Sequence, residues 1–101
     1  MSDKNIQLSV VVPLFNEEGN VNALFNRIHA VLSGMSINSE VIFVNDGSKD
    51  HTLAKVFMIA QEHKWVKYID FSRNFGHQLA IFAGIERANG TYIVVMDGDG
   101  Q

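Results

Sequence analysis

Four short apolar runs alternate along the chain with three segments in which apolar residues recur at helical spacing. The runs are rich in β-branched residues and lack strict alternation, which is typical of strands buried on both faces. They predict strands over residues 9–15, 41–44, 66–71 and 91–96. The order β-α-β-α-β-α-β, with short connections and no internal repeat, predicts one α/β domain with a parallel, Rossmann-like sheet and three helices.

The three intervening segments predict helices that cover the sheet. The first presents Val21, Leu24, Phe25, Ile28, Val31 and Leu32 at helical spacing, and Gly34 is placed to end it. Ser48 or Asp50 can cap the second. Its expected inner face comprises Leu53, Val56, Phe57 and Ala60. The third, over residues 78–88, shows two neighbouring apolar stripes. They comprise Leu79, Phe82 and Ala83, and Ile81, Ile85 and Ala88.

Right-handed crossovers predict the strand order 3-2-1-4, with the first strand in the centre. This order creates a switch point beside the first strand, where α/β sheets bind ligands outside the carboxyl ends of their strands. Polar side chains follow every predicted strand, so they meet at that edge. They include Asn16, Glu17 and Glu18, then Asn45, Asp46 and Ser48, then Ser72, Arg73, Asn74 and His77, and finally Asp97, Asp99 and Gln101.

Composition narrows the class of protein. The chain has 101 residues, of which 47% are hydrophobic and 19% charged, enough for one small domain with a packed core. A net charge of -3 argues against a nucleic-acid partner. The absence of cysteine excludes disulfides, thiolate metal sites and cysteine nucleophiles. No apolar run approaches the ~18 residues of a membrane span, and the first residues are too polar for a signal peptide.

The last predicted strand leads into an Asp-x-Asp arrangement. Asp97 and Asp99 can share one hard cation, Mg²⁺ or Mn²⁺, and Gln101 offers an amide oxygen beside them. An EF-hand, a haloacid-dehalogenase-like phosphatase and a receiver domain all fit poorly, because each places its acidic residues elsewhere in the element order. Neither a Gly-x-Gly-x-x-Gly after the first strand nor a phosphate-binding loop with Gly-Lys-[Ser/Thr] is present.

Four motifs in this order resemble family-2 glycosyltransferases of the GT-A fold, and most of all the branch of dolichyl- and polyprenyl-phosphate sugar transferases. The motifs lie at residues 11–18, 44–48, 72–78 and 96–101, and the resemblance covers residues 8–101. It implies a metal-dependent enzyme that takes a sugar from a nucleoside-diphosphate sugar. The acceptor would be a polyprenyl phosphate or a glycan.

The resemblance also implies roles for individual residues. Pro13, Phe15 and Glu17 would line the nucleotide pocket, and Asp46 would accept hydrogen bonds from the base. The remaining nucleotide-binding candidates are Val44, Arg73, Met96, Asp97 and Gly98. The Mg²⁺ or Mn²⁺ ion would be held by Asp97, Asp99 and Gln101.

Several of these residues have simpler structural interpretations. Pro13 can merely shape a strand end, and Arg73 can pair with Asp70 or Asp46. His77 lacks a partner in the sequence that would orient it as a base. His29 and His63 are expected at the surface of helices, and His51 in solvent. Trp65 is expected to pack at the start of the third strand.

The match departs from the family at Gly100, where a leucine is frequent. It also lacks the acceptor-binding half with its carboxylate base. We therefore expect the N-terminal, donor-binding part of a glycosyltransferase domain, ending after the Asp-x-Asp motif and inactive alone. We expect this part to be soluble and the parent enzyme to act at the cytoplasmic face of a membrane.

Two other functions stay open: a non-catalytic nucleotide- or partner-binding module, and a phosphotransfer or nucleotidyltransfer domain. The exposed edge of the fourth strand also favours self-association.

Overall fold

A computed structural model describes residues 5–97 as a four-stranded parallel sheet with three helices. The strands are β1 (Leu8–Leu14), β2 (Ser39–Asn45), β3 (Val66–Asp70) and β4 (Tyr92–Val95). The helices are α1 (Val21–Ser33), α2 (Thr52–Glu62) and α3 (His77–Arg87). The strand order β3-β2-β1-β4 confirms the predicted fold class and topology.

The central strands are buried on both faces, as their unbroken apolar runs predict. On one face of the sheet, side chains of β1 and β2 such as Val12 and Phe43 pack against α1 and α2. On the other, Val11, Ile42 and Val44 pack against α3. Because successive strand residues point to opposite faces, a continuous run of β-branched residues is needed to supply both layers.

The helix α3 approaches the sheet through its smallest residues, and the two predicted apolar stripes were wrong in this respect. Ala80 and Gly84 are its buried residues, whereas Leu79 and Phe82 are 53% and 63% exposed. A β-carbon added to Gly84 would lie 2.3 Å from Cγ1 of Val11, so the helix backbone rests almost directly on the strand. Small residues permit that approach, and the larger ones are displaced to the flanks.

The other two helices follow the prediction more closely. Gly34 ends α1 as expected, although Val31 at the edge of its apolar face is 64% exposed. In α2, Val56 and Ile59 are buried, whereas Phe57, predicted on the inner face, is 44% exposed. The N-cap of α2 is His51, which makes no side-chain capping bond, so the predicted cap Asp50 lies one position before it. The Asp50 carboxylate still accepts the Thr52 N–H at 2.9 Å.

The strand β4 leaves one edge of the sheet uncovered. All four of its residues are exposed, because α3 packs on β1 and β2 rather than on β4. Within residues 5–97, no helix has the length and apolar character needed to cross a membrane.

A buried polar network fastens the amino-terminal edge of the sheet. The Glu40 carboxylate, fully buried on β2, accepts hydrogen bonds from the Ser9 hydroxyl at 2.6 Å, the Lys67 ammonium at 2.7 Å and the Asn89 N–H at 2.7 Å. Burial alone would raise the pKa of Glu40, but the bonds from Asn89, Lys67 and Ser9 outweigh it and hold the pKa below its ordinary value. The network ties the loop before β4 to the two central strands.

Candidate functional site

An open cleft of about 450 Å³ lies at the carboxyl ends of the strands. It occupies the predicted switch point, where β1 separates β2 on one side from β4 on the other. Its walls come from the loops that follow β1, β2, β3 and β4. They are formed by Pro13, Leu14, Phe15, Glu17, Asp46, Asn74, Gly76, His77 and Asp97.

The loops after β1 and β2 are joined by hydrogen bonds that fix one wall of the cleft. Asn16, in the left-handed region at φ 52°, donates its N–H to the Ser48 hydroxyl at 2.9 Å and accepts the Lys49 N–H on its side chain at 2.9 Å. The Glu17 N–H donates to the Thr52 hydroxyl at 2.8 Å. These bonds hold the backbone of residues 15–17 in place for a ligand in the cleft.

Asp50 extends the same wall behind the cleft. Its carboxylate accepts the hydroxyl and N–H of Thr52 at 2.6 Å and 2.9 Å, and the Glu18 N–H at 3.2 Å. Burial acts to raise the pKa of Asp50, but the Thr52 and Glu18 bonds prevail and keep that pKa below its ordinary value. The side chain is therefore a fixed anionic anchor for two loops.

Asp46 secures the opposite wall. Only 3% exposed, it accepts the Phe75 N–H on Oδ1 at 2.7 Å. On Oδ2 it accepts the Gly76 N–H and the Asn74 side-chain amide, both at 3.1 Å. A carboxylate offers about four acceptor positions. Three are thus occupied by the loop before α3, and about one is available at the cleft.

Gly47 allows the two loops to meet. Its φ is +71°, and a β-carbon there would lie 2.2 Å from backbone atoms of both Arg73 and Asn74. No side chain can be accommodated at that distance. The turn after β2 therefore needs glycine for its conformation and for the close approach of the neighbouring loop.

The residues predicted to contact a nucleotide near the first strand reach the cleft. Phe15 is 45% exposed and offers an aromatic face, whereas Pro13 is buried in β1 with its side chain at the cleft floor. The Glu17 carboxylate accepts the Asn20 side-chain amide at 2.9 Å, which orients it at the start of α1. This side of the cleft thus combines the aromatic surface of Phe15 with two carboxylates, Glu17 and Asp46.

Asp97 lies on the far wall, and its Oδ1 is 3.7 Å from Nε2 of His77 at the start of α3. Sequence reasoning had found no orienting partner for His77. The Asp97 side chain is 56% exposed, and its carboxylate oxygens have the ligand chemistry that Mg²⁺ or Mn²⁺ requires. Within residues 5–97 no three His, Asp or Glu side chains converge in a metal-binding group. The predicted Gly98, Asp99 and Gln101 lie outside the described residues.

Three of the predicted nucleotide-binding residues do not line the cleft. The Val44 side chain is fully buried against α3, and Met96 packs towards α1 on the opposite face from it. Arg73 lies with its guanidinium 4.8 Å from the centre of the Phe75 ring. Within the described part of the chain, it forms no ion pair with Asp46 or Asp70, the partners proposed for a structural role.

The sequence did not predict that Asn74 and Gly76 form hydrogen bonds to Asp46. Both line the cleft and bond to Asp46. Gly76 has a φ of +109°, a conformation that favours glycine. An Asn-x-Gly sequence before a helix was the available signal, but its partner lies about thirty positions away.

The sheet order and a cleft at its switch point define an α/β domain of the ligand-binding, doubly wound class. Comparison with known proteins gives the family. The model of glycosyl transferase family 2 matches residues 9–101, and the chain belongs to that family.

Curated relatives extend well beyond the matched region. The chain is 47% identical to an uncharacterized glycosyltransferase, YkcC, of Bacillus subtilis, covering 97% of this chain and 30% of the relative. It is 39% identical to the dodecaprenyl-phosphate galacturonate synthase of Rhizobium johnstonii, covering 97% of this chain and 29% of the relative. The chain thus spans less than a third of the length of these relatives.

Solved structures share the fold. Staphylococcus aureus TarS, in complex with UDP-GlcNAc, superposes with a TM-score of 0.77 at 26% identity, over 93% of this chain and 27% of TarS. The mannosyltransferase PcManGT of Pyrobaculum calidifontis, in complex with GDP-Man and Mn²⁺, gives a TM-score of 0.80 at 22% identity, over 94% of this chain and 28% of that one. The α/β architecture is therefore that of known glycosyltransferase structures.

Proposed function

We propose that this chain forms the donor-binding part of a metal-dependent glycosyltransferase that takes its sugar from a nucleoside-diphosphate sugar. The observation that carries the proposal is the cleft at the switch point of the sheet, where Phe15, Asp46 and Asp97 lie on three different loops of a family-2 domain. Phe15 offers an aromatic face to a base or ribose, and Asp46 offers a buried acceptor to the base. Asp97 offers an exposed carboxylate to the ribose and to the ion that would bind the diphosphate.

Asp46 supports uridine as the nucleoside. With three acceptor positions used by residues 74–76, about one remains for the base. The imide of uracil donates one N–H, whereas the corresponding edge of guanine donates two. A nearly saturated carboxylate matches the single donor better, and the TarS neighbour binds UDP-GlcNAc.

The remaining donor contacts follow from position along the cleft. Phe15 would pack against the base or ribose, with Pro13 and Glu17 beside it. Asp97, with Gly98 next to it, would lie near the ribose and the ion, and Asp99 and Gln101 would complete the oxygen ligands. Val44, in β2, and Met96, directly after β4, would contribute by carrying Asp46 and Asp97 to the cleft. Arg73 stays a prediction as a diphosphate ligand.

In the complete enzyme, an acceptor oxygen would attack the anomeric carbon, the bond to the diphosphate would break, and the nucleoside diphosphate would leave with that electron pair. Mg²⁺ or Mn²⁺ would supply neutralisation of the charge on the diphosphate. A polyprenyl phosphate is the acceptor we favour, since the Rhizobium relative is named for one. With such an acceptor, we expect the whole enzyme to act at the cytoplasmic face of a membrane. The 101-residue chain alone should transfer no sugar.

Calorimetric titration with UDP in the presence of Mn²⁺ tests the donor site. We expect binding that requires the ion, that is stronger for UDP than for GDP, and that is lost in Asp99→Ala. The matched control is Glu62→Ala, an exposed acidic residue at the end of α2. Equal affinities for the wild type and Asp99→Ala would refute the metal-dependent site.

The same titration, together with a phosphate-release assay, distinguishes the two other functions. Nucleotide binding that does not depend on the ion would favour a non-catalytic module. Binding of a protein partner in the absence of any nucleotide binding would favour it too. Release of inorganic phosphate from a nucleoside triphosphate would favour a phosphotransfer domain.

The open edge of β4 leads us to include self-association in this proposal. The strand Tyr92–Val95 carries no charge or proline that would block edge pairing, and Val94 is 45% exposed. Light scattering should show a dimer that Val94→Lys abolishes and Met58→Lys, on the distant helix α2, preserves. A monomeric wild type would contradict edge pairing.

A further inference from the structure

Four rings pack together at the edge of the sheet opposite the cleft. Phe25 and His29 extend from α1, and His63 and Trp65 lie between α2 and β3. Every pair of ring centres in this four-ring cluster lies between 5.1 and 5.6 Å apart. This arrangement contradicts the expectation that the two histidines are simple surface residues, because both are half-buried. It bears out the packing predicted for Trp65.

The two imidazoles have a separation suited to a shared metal ion. Their ring centres are 5.1 Å apart and their planes are inclined by 72°. With metal–nitrogen bonds of about 2.1 Å, tetrahedral ligation brings the centres of two imidazoles to about 5 Å. The separation of the two ring centres therefore matches the spacing that a shared ion requires.

The nitrogen atoms of this pair are not committed elsewhere in the described structure. Across residues 5–97, no hydrogen bond joins the imidazole of His29 or His63 to another residue. His29 and Trp65 border an open groove of about 290 Å³, which gives a hydrated ion access from solvent. Phe25 is apolar and the Trp65 indole nitrogen is a donor only, so the two imidazoles are the metal ligands that this cluster offers.

We propose that His29 and His63 bind a divalent transition-metal ion, with water completing its coordination. Imidazole ligands suit Cu²⁺, Ni²⁺ and Zn²⁺, in contrast to the hard Mg²⁺ or Mn²⁺ expected at the oxygen ligands of the cleft. The ion bridges α1 to the segment between α2 and β3. It is separate from donor binding, because the cluster lies at the amino-terminal edge of the strands and the cleft at their carboxyl ends.

Trp65 provides a direct readout, since it is the only tryptophan of the chain and its ring centre lies 5.3 Å from His29 and 5.5 Å from His63. Titration with Cu²⁺ should quench its fluorescence in a saturable manner. His29→Gln and His63→Gln should each raise the dissociation constant at least about tenfold, a loss that even the outer partners of metal ligands produce. His51→Gln, which changes a histidine outside both the four-ring cluster and the cleft, is the matched control and should leave it unchanged.

Nuclear magnetic resonance of the wild type provides a measurement that needs no variant. At substoichiometric Cu²⁺, the imidazole signals of His29 and His63 should broaden before that of His51. Absence of saturable quenching in the wild type, equal dissociation constants in all three variants, or prior broadening of His51 would each overturn the proposal.

Discussion

Replacement of Asp46 by asparagine removes the charge that holds the loop before α3 while it preserves the volume of the side chain. The carboxylate accepts the Phe75 N–H on one oxygen, and the Gly76 N–H and Asn74 amide on the other. If the amide oxygen keeps the Phe75 bond, its NH₂ group faces two donors. Hydrogen bonds to charged groups contribute about 1.5–3 kcal/mol each, and we expect Asp46→Asn to lose about 3 kcal/mol of unfolding free energy.

Urea unfolding followed by circular dichroism and Trp65 fluorescence measures this loss. Small domains have unfolding free energies of about 5–15 kcal/mol, so the variant should still give a folded baseline. Asp70→Asn is the control, because exposed Asp70 accepts one side-chain bond, from Asn45 at 2.9 Å. Its expected loss is below about 1 kcal/mol. Equal stabilities of the two variants would refute the reasoning that Asp46 secures the loop.

Two further predictions concern the close approach of loops and the buried carboxylate. Gly47→Ala should cost about 2 kcal/mol or more in urea unfolding, because its β-carbon would lie 2.2 Å from backbone atoms of Arg73 and Asn74. The control Gly19→Ala, where the β-carbon would meet nothing within 4 Å, should cost little. Equal losses in the two variants would contradict this prediction. The lowered pKa of Glu40 means that its contribution is complete above its unfolded pKa near 4.5 and is lost as the pH falls through the folded value. Glu40→Gln should therefore lose about 2 kcal/mol of unfolding free energy at neutral pH, the contribution of a hydrogen bond to a charged group. Its stability should also fall less below pH 4.5, whereas a fall parallel to that of the wild type would exclude Glu40 as the source.

The sheet could be predicted from sequence because its signal is local. Each strand is a short β-branched run, and the crossover rule converts strand order in the chain into order in the sheet. Val11 and Val12, buried on opposite faces of β1, illustrate why such runs identify central strands. The cleft followed from the same rule, since parallel strands bring their carboxyl ends to one edge.

The errors arose where packing depends on distant partners. Leu79 and Phe82 suggested the inner face of α3, but the close contact of Gly84 with Val11 determines which face meets the sheet. Nothing in the local sequence marks Glu40, which directly precedes the predicted strand over residues 41–44, as a buried residue. Its burial is possible because Lys67 and Asn89 reach it from positions 27 and 49 residues away in sequence. No local pattern carries that information.

The measurement that tests the donor site most directly is the mapping of UDP binding on backbone amide signals in the presence of Mg²⁺. We expect the largest shifts in the loops after the strands, at Phe15, Phe75, Gly76 and Asp97, and little change at the four-ring cluster. Shifts confined to other surfaces, or none at UDP concentrations that saturate calorimetric binding, would contradict the assignment of the cleft as the nucleotide site.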